Sequence, residues 1–423
     1  MLYEESVALR QPIFYSLVHQ SKGEKKMKKY LAFAMALAMV AACFAGCGNS
    51  SAPAATTAPA SSAETVAPAA AAVKIGMSGP LTGGASAYGL AVKAGMEVAV
   101  EEINALGGLQ IEFNAQDDEA DGEKAISAYN TLKDWGMQIM AGNVTSGAAN
   151  AVAPETAADN IFNITPSASA TSVAEAGPNV FQMCFTDPNQ GASAAELIAT
   201  KFSGAKVGVI YDSSDDYSSG LYQGFAANAA ALNVEIVATT SFTADNKADL
   251  STQVTKCQDA GADLVFLPIY YTEAAQILTY ANRVGYAPTF FGCDGMDGIL
   301  TVEGFDPALA EGLALMTPFD ANAQDEATQS FVAKFKAKMD GLVPNQFAAD
   351  GYDVIYSIYN ALTAAGVTGS ESASEMCEIL KTQFASMTVD GLTGKGMKWD
   401  ENGMISKSPA AVVVENGVYV PMA

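Results

Sequence analysis

Histidine is almost missing from this chain. The single one, His19, lies near the start and none follows it. Without an imidazole, the remaining 404 residues hold no Ser/His/Asp or Cys/His catalytic arrangement and no histidine-containing metal site. Arginine is nearly as scarce. After Arg10 the only one is Arg283, so bidentate guanidinium clamps on carboxylate or phosphate are all but excluded. The cysteines Cys184, Cys257, Cys293 and Cys377 are widely scattered and form no C-x-x-C pair. Zinc and redox motifs are thereby disfavoured, and buried thiols are the expectation. Basic charge is also short, with 22 Lys+Arg against 46 Asp+Glu and a net of −24. Such a balance argues against nucleic-acid and anionic-lipid surfaces as partners.

Nucleotide and calcium motifs are missing too. The glycines of Ser78–Gly89 do not fit G-x-G-x-x-G, and no P-loop Gly-Lys-Ser/Thr follows them. The acidic run Asp117-Asp118-Glu119-Ala120-Asp121-Gly122 lacks the closing glutamate of an EF-hand, since Ala128 stands there. It reads as a solvated loop whose last carboxyls cap the helix Gly122–Trp135. No cofactor is expected.

What is present begins with a leader. Met27-Lys28-Lys29-Tyr30 and the apolar run after it form the basic and hydrophobic regions of a signal peptide. That run is too short for a spanning helix. Residues 1–26 have no place in such a leader. Lys22-Gly23-Glu24 can be encoded by a ribosome-binding-like sequence, so translation is expected to start at Met27. The chain from 47 to 72 is rich in Ala, Pro, Ser and Thr, a composition that cannot bury a core and suits a disordered tether. Beyond the leader the chain carries 16 basic and 43 acidic residues, a net of about −27.

From Val73 onward, short apolar strands alternate with amphipathic helices, the pattern of an α/β fold with parallel sheets and right-handed crossovers. Val73–Met77 is the first strand, and Ala91–Leu106 the first helix, with Tyr88 just before it. The stretch Gln138–Ser169 organises the rest. It reads as strand, loop, helix Ala148–Asp159, strand Ile161–Ile164 and loop. Pro154 is expected to kink that helix or delay its start. Two successive strand ends of a parallel sheet share one edge, so their loops face one crevice. Each loop is read as opening a helix whose N–H groups favour an anion. Ser146 and Ser169 add hydroxyls, and the pair suits a small carboxylate. Thr186–Gly191 crosses into a second lobe with the same alternation, where Tyr217, Tyr270 and Asp294 fall at the carboxyl ends of strands. Leu313–Phe319 leads back to the first lobe, and Phe347 starts a late helix.

Several segments together carry a resemblance: VKIGMSGPLTG with Tyr88-Gly89, AVEEINALGGLQIEF, ITPSAS, YDSSDDYSSGL, PIYYTEA, GCDG and WDENG. As a set they resemble the type I periplasmic-binding proteins, and within these the branched-chain amino-acid receptors of ABC importers. The resemblance spans Val73 to Ala423. It implies two doubly wound lobes, 73–187 plus 318–398 and 188–317 plus 399–423, joined by three crossings and closing on a ligand. It implies that Ser146 and the Ala168-Ser169 pair hold an amino acid's carboxylate and that Asp294 holds its ammonium. Tyr88, Tyr217, Tyr270 and Phe347 then line the pocket. Phe44-Ala45-Gly46-Cys47 resembles a lipobox, which implies acylation at Cys47 and an extracytoplasmic, membrane-anchored monomer that delivers solute to permease subunits. A signalling role for the same fold, or a solute other than an amino acid, is the alternative. Three positions depart from the resemblance. Thr145 stands where some members have a disulfide cysteine, Asp294 where well-known members have Glu, and Ser169 where Thr is commoner. No catalytic residue is expected.

Overall fold

The computed structural model describes residues 71–422. The leader, Cys47 and most of the tether lie outside that range. Among the described residues, no helix is long and apolar enough to cross a membrane.

The chain begins with β1 (Val73–Gly79), α1 (Ser86–Ala105), β2 (Ile111–Asp117), α2 (Gly122–Trp135), β3 (Ile139–Met140), α3 (Ser146–Asp159), β4 (Phe162–Thr165), the single turn α4 (Thr171–Ala174) and β5 (Val180–Gln182). These strands form a wholly parallel sheet in the order β2-β1-β3-β4-β5. The run VKIGMSG is buried at six of its seven positions, as a strand covered on both faces must be. Ile75 pairs with Phe113 on one side and Ile139 on the other. The order reverses between β1 and β3. Loops that leave a doubly wound sheet on either side of such a reversal diverge and open a crevice.

The second half contains α5 (Asp187–Lys201), β6 (Lys206–Asp212), α6 (Asp216–Ala229), β7 (Glu235–Phe242), α7 (Ser251–Asp259), β8 (Leu264–Leu267), α8 (Tyr271–Val284), β9 (Thr289–Gly292) and β10 (Ala314–Thr317). The helices α9 (Glu326–Lys338), α10 (Gln346–Ala364) and α11 (Ala373–Phe384) come next, then the antiparallel hairpin β11 (Ala410–Glu415) and β12 (Val418–Pro421). The second sheet runs β12-β11-β10-β9-β8-β6-β7. Its parallel part repeats the first sheet's order, with the reversal between β6 and β8. Two sheets of one design therefore present two crevices. Helices α9, α10 and α11 pack on the first sheet's elements, α10 most closely against α1.

Local chemistry explains the helix starts. Asp121, Asp215 and Asn345 each accept a hydrogen bond from the third residue beyond them, and Ser372 with Glu375 forms a capping box. The chain crosses between the sheets three times. Near the last crossing, Lys407 is 3% exposed and donates to Asp350 and to Thr393, both at 2.7 Å. Thr393 in turn donates to Asp353 at 2.6 Å. A buried lysine left without these acceptors would be strongly destabilising, so the network fixes this segment against α10.

Several expectations need correcting. Helix α1 starts at Ser86, so Tyr88 lies inside its first turn, not before it. Pro154 does not delay α3, which starts at Ser146 and continues through it to Asp159. Pro154 is the ninth residue of the helix, so what it removes is the interior N–H that would donate to the Asn150 carbonyl. The loop after β4 opens only the one-turn α4. Asp118 is fully buried, not solvated, accepting from Ser78 at 2.7 Å and Asn143 at 3.2 Å. Leu313–Phe319 does not go straight back to the first lobe: Ala314–Thr317 is a central strand of the second sheet, and the return follows it. All four described cysteines are buried and free.

Candidate functional site

The two crevices face each other, and residues from both line one cleft. From the first sheet's side come Val144, Thr145 and Ser146 after β3, Ser167 after β4, and Tyr88 from α1. From the second side come Tyr217 at the start of α6, Tyr270 after β8, and Asp294 with Gly295 after β9. Phe347 reaches in from α10. The cavity between these walls is about 10 Å³, room for about one water. The walls touch directly. Tyr88 donates its hydroxyl proton to the Gly295 carbonyl. The Ala87 N–H donates to the Tyr271 hydroxyl at 3.1 Å, and Thr272 donates to the Gly84 carbonyl at 2.6 Å. This is a closed arrangement.

Six of the eight sequence-predicted site residues meet here: Tyr88, Ser146, Tyr217, Tyr270, Asp294 and Phe347. Ala168 and Ser169 do not line the cavity. Ala168 packs with Ala149, Ala153 and Val173, and its N–H donates to Thr165 Oγ1 at 2.8 Å. The Ser169 N–H donates to Ser146 Oγ at 3.2 Å, as does that of Ala170. The Ser169 hydroxyl lies toward the buried Asp187 carboxyl instead of the cleft. From this loop it is Ser167 that reaches the wall, with its hydroxyl donating to the Val144 carbonyl at 2.7 Å.

Asp294 is 4% exposed. Its Oδ1 accepts from Tyr217 at 2.6 Å, Gln190 Nε2 at 3.0 Å and the Gly295 N–H at 2.9 Å. The Asp294 N–H donates to Gln190 Oε1 at 2.7 Å. All three side-chain contacts fall on Oδ1, which leaves Oδ2 for the cleft. Burial pushes the Asp294 carboxyl above its ordinary pKa, and the Tyr217 and Gln190 hydrogen bonds pull the other way. Burial also holds the Tyr88, Tyr217 and Tyr270 hydroxyls well above theirs, so they stay protonated donors.

The tyrosines build an aromatic wall. Tyr217 and Tyr270 stack with centroids 4.9 Å apart, and Tyr88 packs 4.4 Å from Phe347 and 5.5 Å from Tyr270. Faces of such rings favour a neighbouring cation. Opposite Asp294 stands the N-terminus of α3, whose N–H groups and dipole favour an anion. The cleft thus separates an acidic, aromatic end from an anion-favouring end. Among the described residues, no group of three or more His, Cys, Asp or Glu could hold a metal ion.

Gln190 escaped the sequence reading. Its role depends on a contact 104 positions away, and nothing local in Asp187–Gly191 marks it. A larger depression of about 350 Å³ lies in the second lobe, by Tyr280, Arg283 and Phe305. Its charged residues, Asp249, Arg283 and Glu303, are exposed, so it lacks the converging buried polar groups of the cleft.

Comparison with known proteins agrees with this geometry. A family model described as "Periplasmic binding protein" matches residues 72–417. The Leu/Ile/Val-binding protein BraC3 of Rhizobium johnstonii is 29% identical over 308 residues, 72% of this chain and 81% of that protein. The crystal structure of a leucine binding protein, LivK, from Thermotoga maritima superposes with a TM-score of 0.74 at 27% identity, covering 83% of this chain and 98% of that one. The branched-chain amino acid transporter substrate binding protein LivJ of Streptococcus pneumoniae, solved with isoleucine, gives 0.74 at 26% identity, covering 82% and 97%. The chain belongs to the periplasmic binding protein family, whose members are solute-binding proteins, and has that family's type I fold.

Proposed function

We propose that this protein is the extracytoplasmic receptor of an ABC importer. It closes its two lobes on a small amino acid, of the branched-chain kind or near it in size, and presents the closed form to permease subunits. The lobes are taken as 73–187 plus 318–398 and 188–317 plus 399–423, with the start of the last segment resting on the first lobe through Trp399, Gly403 and Lys407. Acylation at Cys47 would tether the chain to the membrane, since acyl chains anchor a domain without spanning the bilayer. The observation that carries the reading is the pairing of opposite ends in one cleft. Asp294, held through Oδ1 with Oδ2 unengaged, faces the ammonium. Ser146 and the start of α3 face the carboxylate. The aromatic side chains between them suit an apolar side chain. The relatives named above bind Leu, Ile or Val by name, and the chain spans most of their length. Closure itself is the output, a shift of population toward the form that contacts ligand with both lobes.

The test is a thermal-shift screen of the purified protein, unfolded and refolded to strip any carried-over ligand, against the amino acids and matched analogues lacking the ammonium. A ligand that binds only the native state raises Tm by mass action. Shifts with leucine, isoleucine, valine or another small amino acid are expected. Shifts only with ligands lacking an ammonium would remove Asp294 from its role.

A further inference from the structure

Besides the Tyr88 phenol, three aliphatic hydroxyls stand on the first lobe's wall of the cleft, and they differ in what they have left to offer. Ser167 already donates to the Val144 carbonyl. Ser146 Oγ already accepts from two N–H groups, those of Ser169 and Ala170. Thr145 does neither. It occupies the N-cap position of α3 in extended backbone, with φ −104° and ψ 148°, yet its side chain caps nothing. It is 5% exposed, lines the cleft, and its Oγ1 has no hydrogen-bond partner.

That combination is unusual. A threonine at an N-cap normally turns its oxygen back to the second or third N–H of the helix. A hydroxyl buried without any partner leaves its desolvation uncompensated within the chain. Thr145 lines the cleft beside the N-terminus of a 14-residue helix, where a ligand could supply the partner.

We infer that Thr145 is a direct ligand contact whose hydroxyl donates to the carboxylate of the bound solute, beside Ser146. The inference rests on the proposed amino-acid reading and extends it to a residue outside the expected set. Ser146 gives one proton and Thr145 a second, so the two hydroxyls and the helix N-terminus share one anion. In the absence of ligand the Thr145 hydroxyl contributes nothing to the helix.

The experiment uses the full chain and two substitutions, with calorimetric titration of an amino acid and of its carboxamide. Thr145→Val keeps the shape and removes the hydroxyl, while Thr145→Ser keeps the hydroxyl. Thr145→Val is expected to weaken the amino acid by roughly tenfold and the carboxamide by much less. Thr145→Ser is expected to stay within about threefold of wild type. The Tm of ligand-free Thr145→Val should be unchanged or higher, because no intramolecular bond is lost. A ligand-free Tm that falls with Thr145→Val but not Thr145→Ser would assign the hydroxyl to capping and overturn the inference. Equal weakening of amino acid and carboxamide would overturn the carboxylate assignment, and unchanged affinity would overturn the contact. A wild type that binds no amino acid at all would overturn the functional reading itself, an outcome distinct from the others.

Discussion

Asp294 divides its work between two oxygens. Oδ1 is fixed by Tyr217, Gln190 and a backbone N–H, and this fixing aims Oδ2. Burial raises the carboxyl's pKa, which sets the sign of the pH dependence. The ammonium of a ligand pairs only with the ionised form. Above the raised pKa the group is already ionised and affinity is flat. Below it, binding must expel a proton, and affinity falls with falling pH, by up to about tenfold per unit. Calorimetry over a falling pH series should therefore show affinity lost on the acid side. Asp294→Asn should bind at least about tenfold more weakly near neutrality and lose the slope. A wild-type profile that stays flat down to the onset of acid unfolding, or a variant that keeps the slope, would assign the ammonium to another group.

At the level of elements, the support for Asp294 comes from two helices pressed together through glycine. Gln190 lies on α5 and Tyr217 on α6, and these helices meet at Gly191. A Cβ placed there would lie 2.5 Å from the Leu221 carbonyl oxygen and 2.6 Å from the Phe225 nitrogen. Both are backbone atoms and cannot swing aside. Gly191→Ala should push the helices apart at a cost of about 1–3 kcal/mol. It should lower Tm in a thermal melt and, by separating Gln190 from Tyr217, weaken ligand binding as well. A variant that melts like wild type would mean that the interface gives elsewhere. This same pair of helices marks how far the sequence could be read. Strand–helix alternation revealed both lobes, because apolar runs bounded by glycine and polar loops are local features. The reach of Tyr217 and Asp294 into a shared crevice followed from their places at strand ends, and the resemblance assigned their roles. Gln190 was hidden, since its function is a contact between distant segments. Asp118 was misread for the same reason: Ser78 on β1 and Asn143 in the loop after β3, which satisfy it, lie far away in sequence. The Ala168-Ser169 pair was expected at the cleft, but a loop that opens only one helical turn folds back, and its N–H groups go to Thr165 and Ser146.

Across the whole molecule, the lobes also hold each other without help from the cleft's centre. At one rim Asn150 on α3 donates to Asp216 on α6 at 2.6 Å. At the other, Thr272 and Tyr271 meet Gly84 and Ala87. These contacts join one lobe to the other, so opening the cleft would break them, and they weight the equilibrium toward closure. They lie outside the set of residues that faces the ligand. Removing one should lower the closed fraction and, with it, the apparent affinity, because affinity scales with the population of the binding-competent form. Asn150→Ala deletes a side-chain hydrogen bond at an exposed rim, a loss of about 0.5–1.5 kcal/mol, which corresponds to roughly two- to tenfold in Kd. The deficit should appear mainly as faster ligand release in stopped-flow measurements, with the association rate little changed, because the contact forms after the lobes have begun to meet. The Tm of the ligand-free open form should not move, since Asn150 bonds to Asp216 only across the closed rim and its remaining partner, Ser172, is exposed. An unchanged release rate would show that the rim contact follows closure passively and that the cleft's own contacts set the equilibrium.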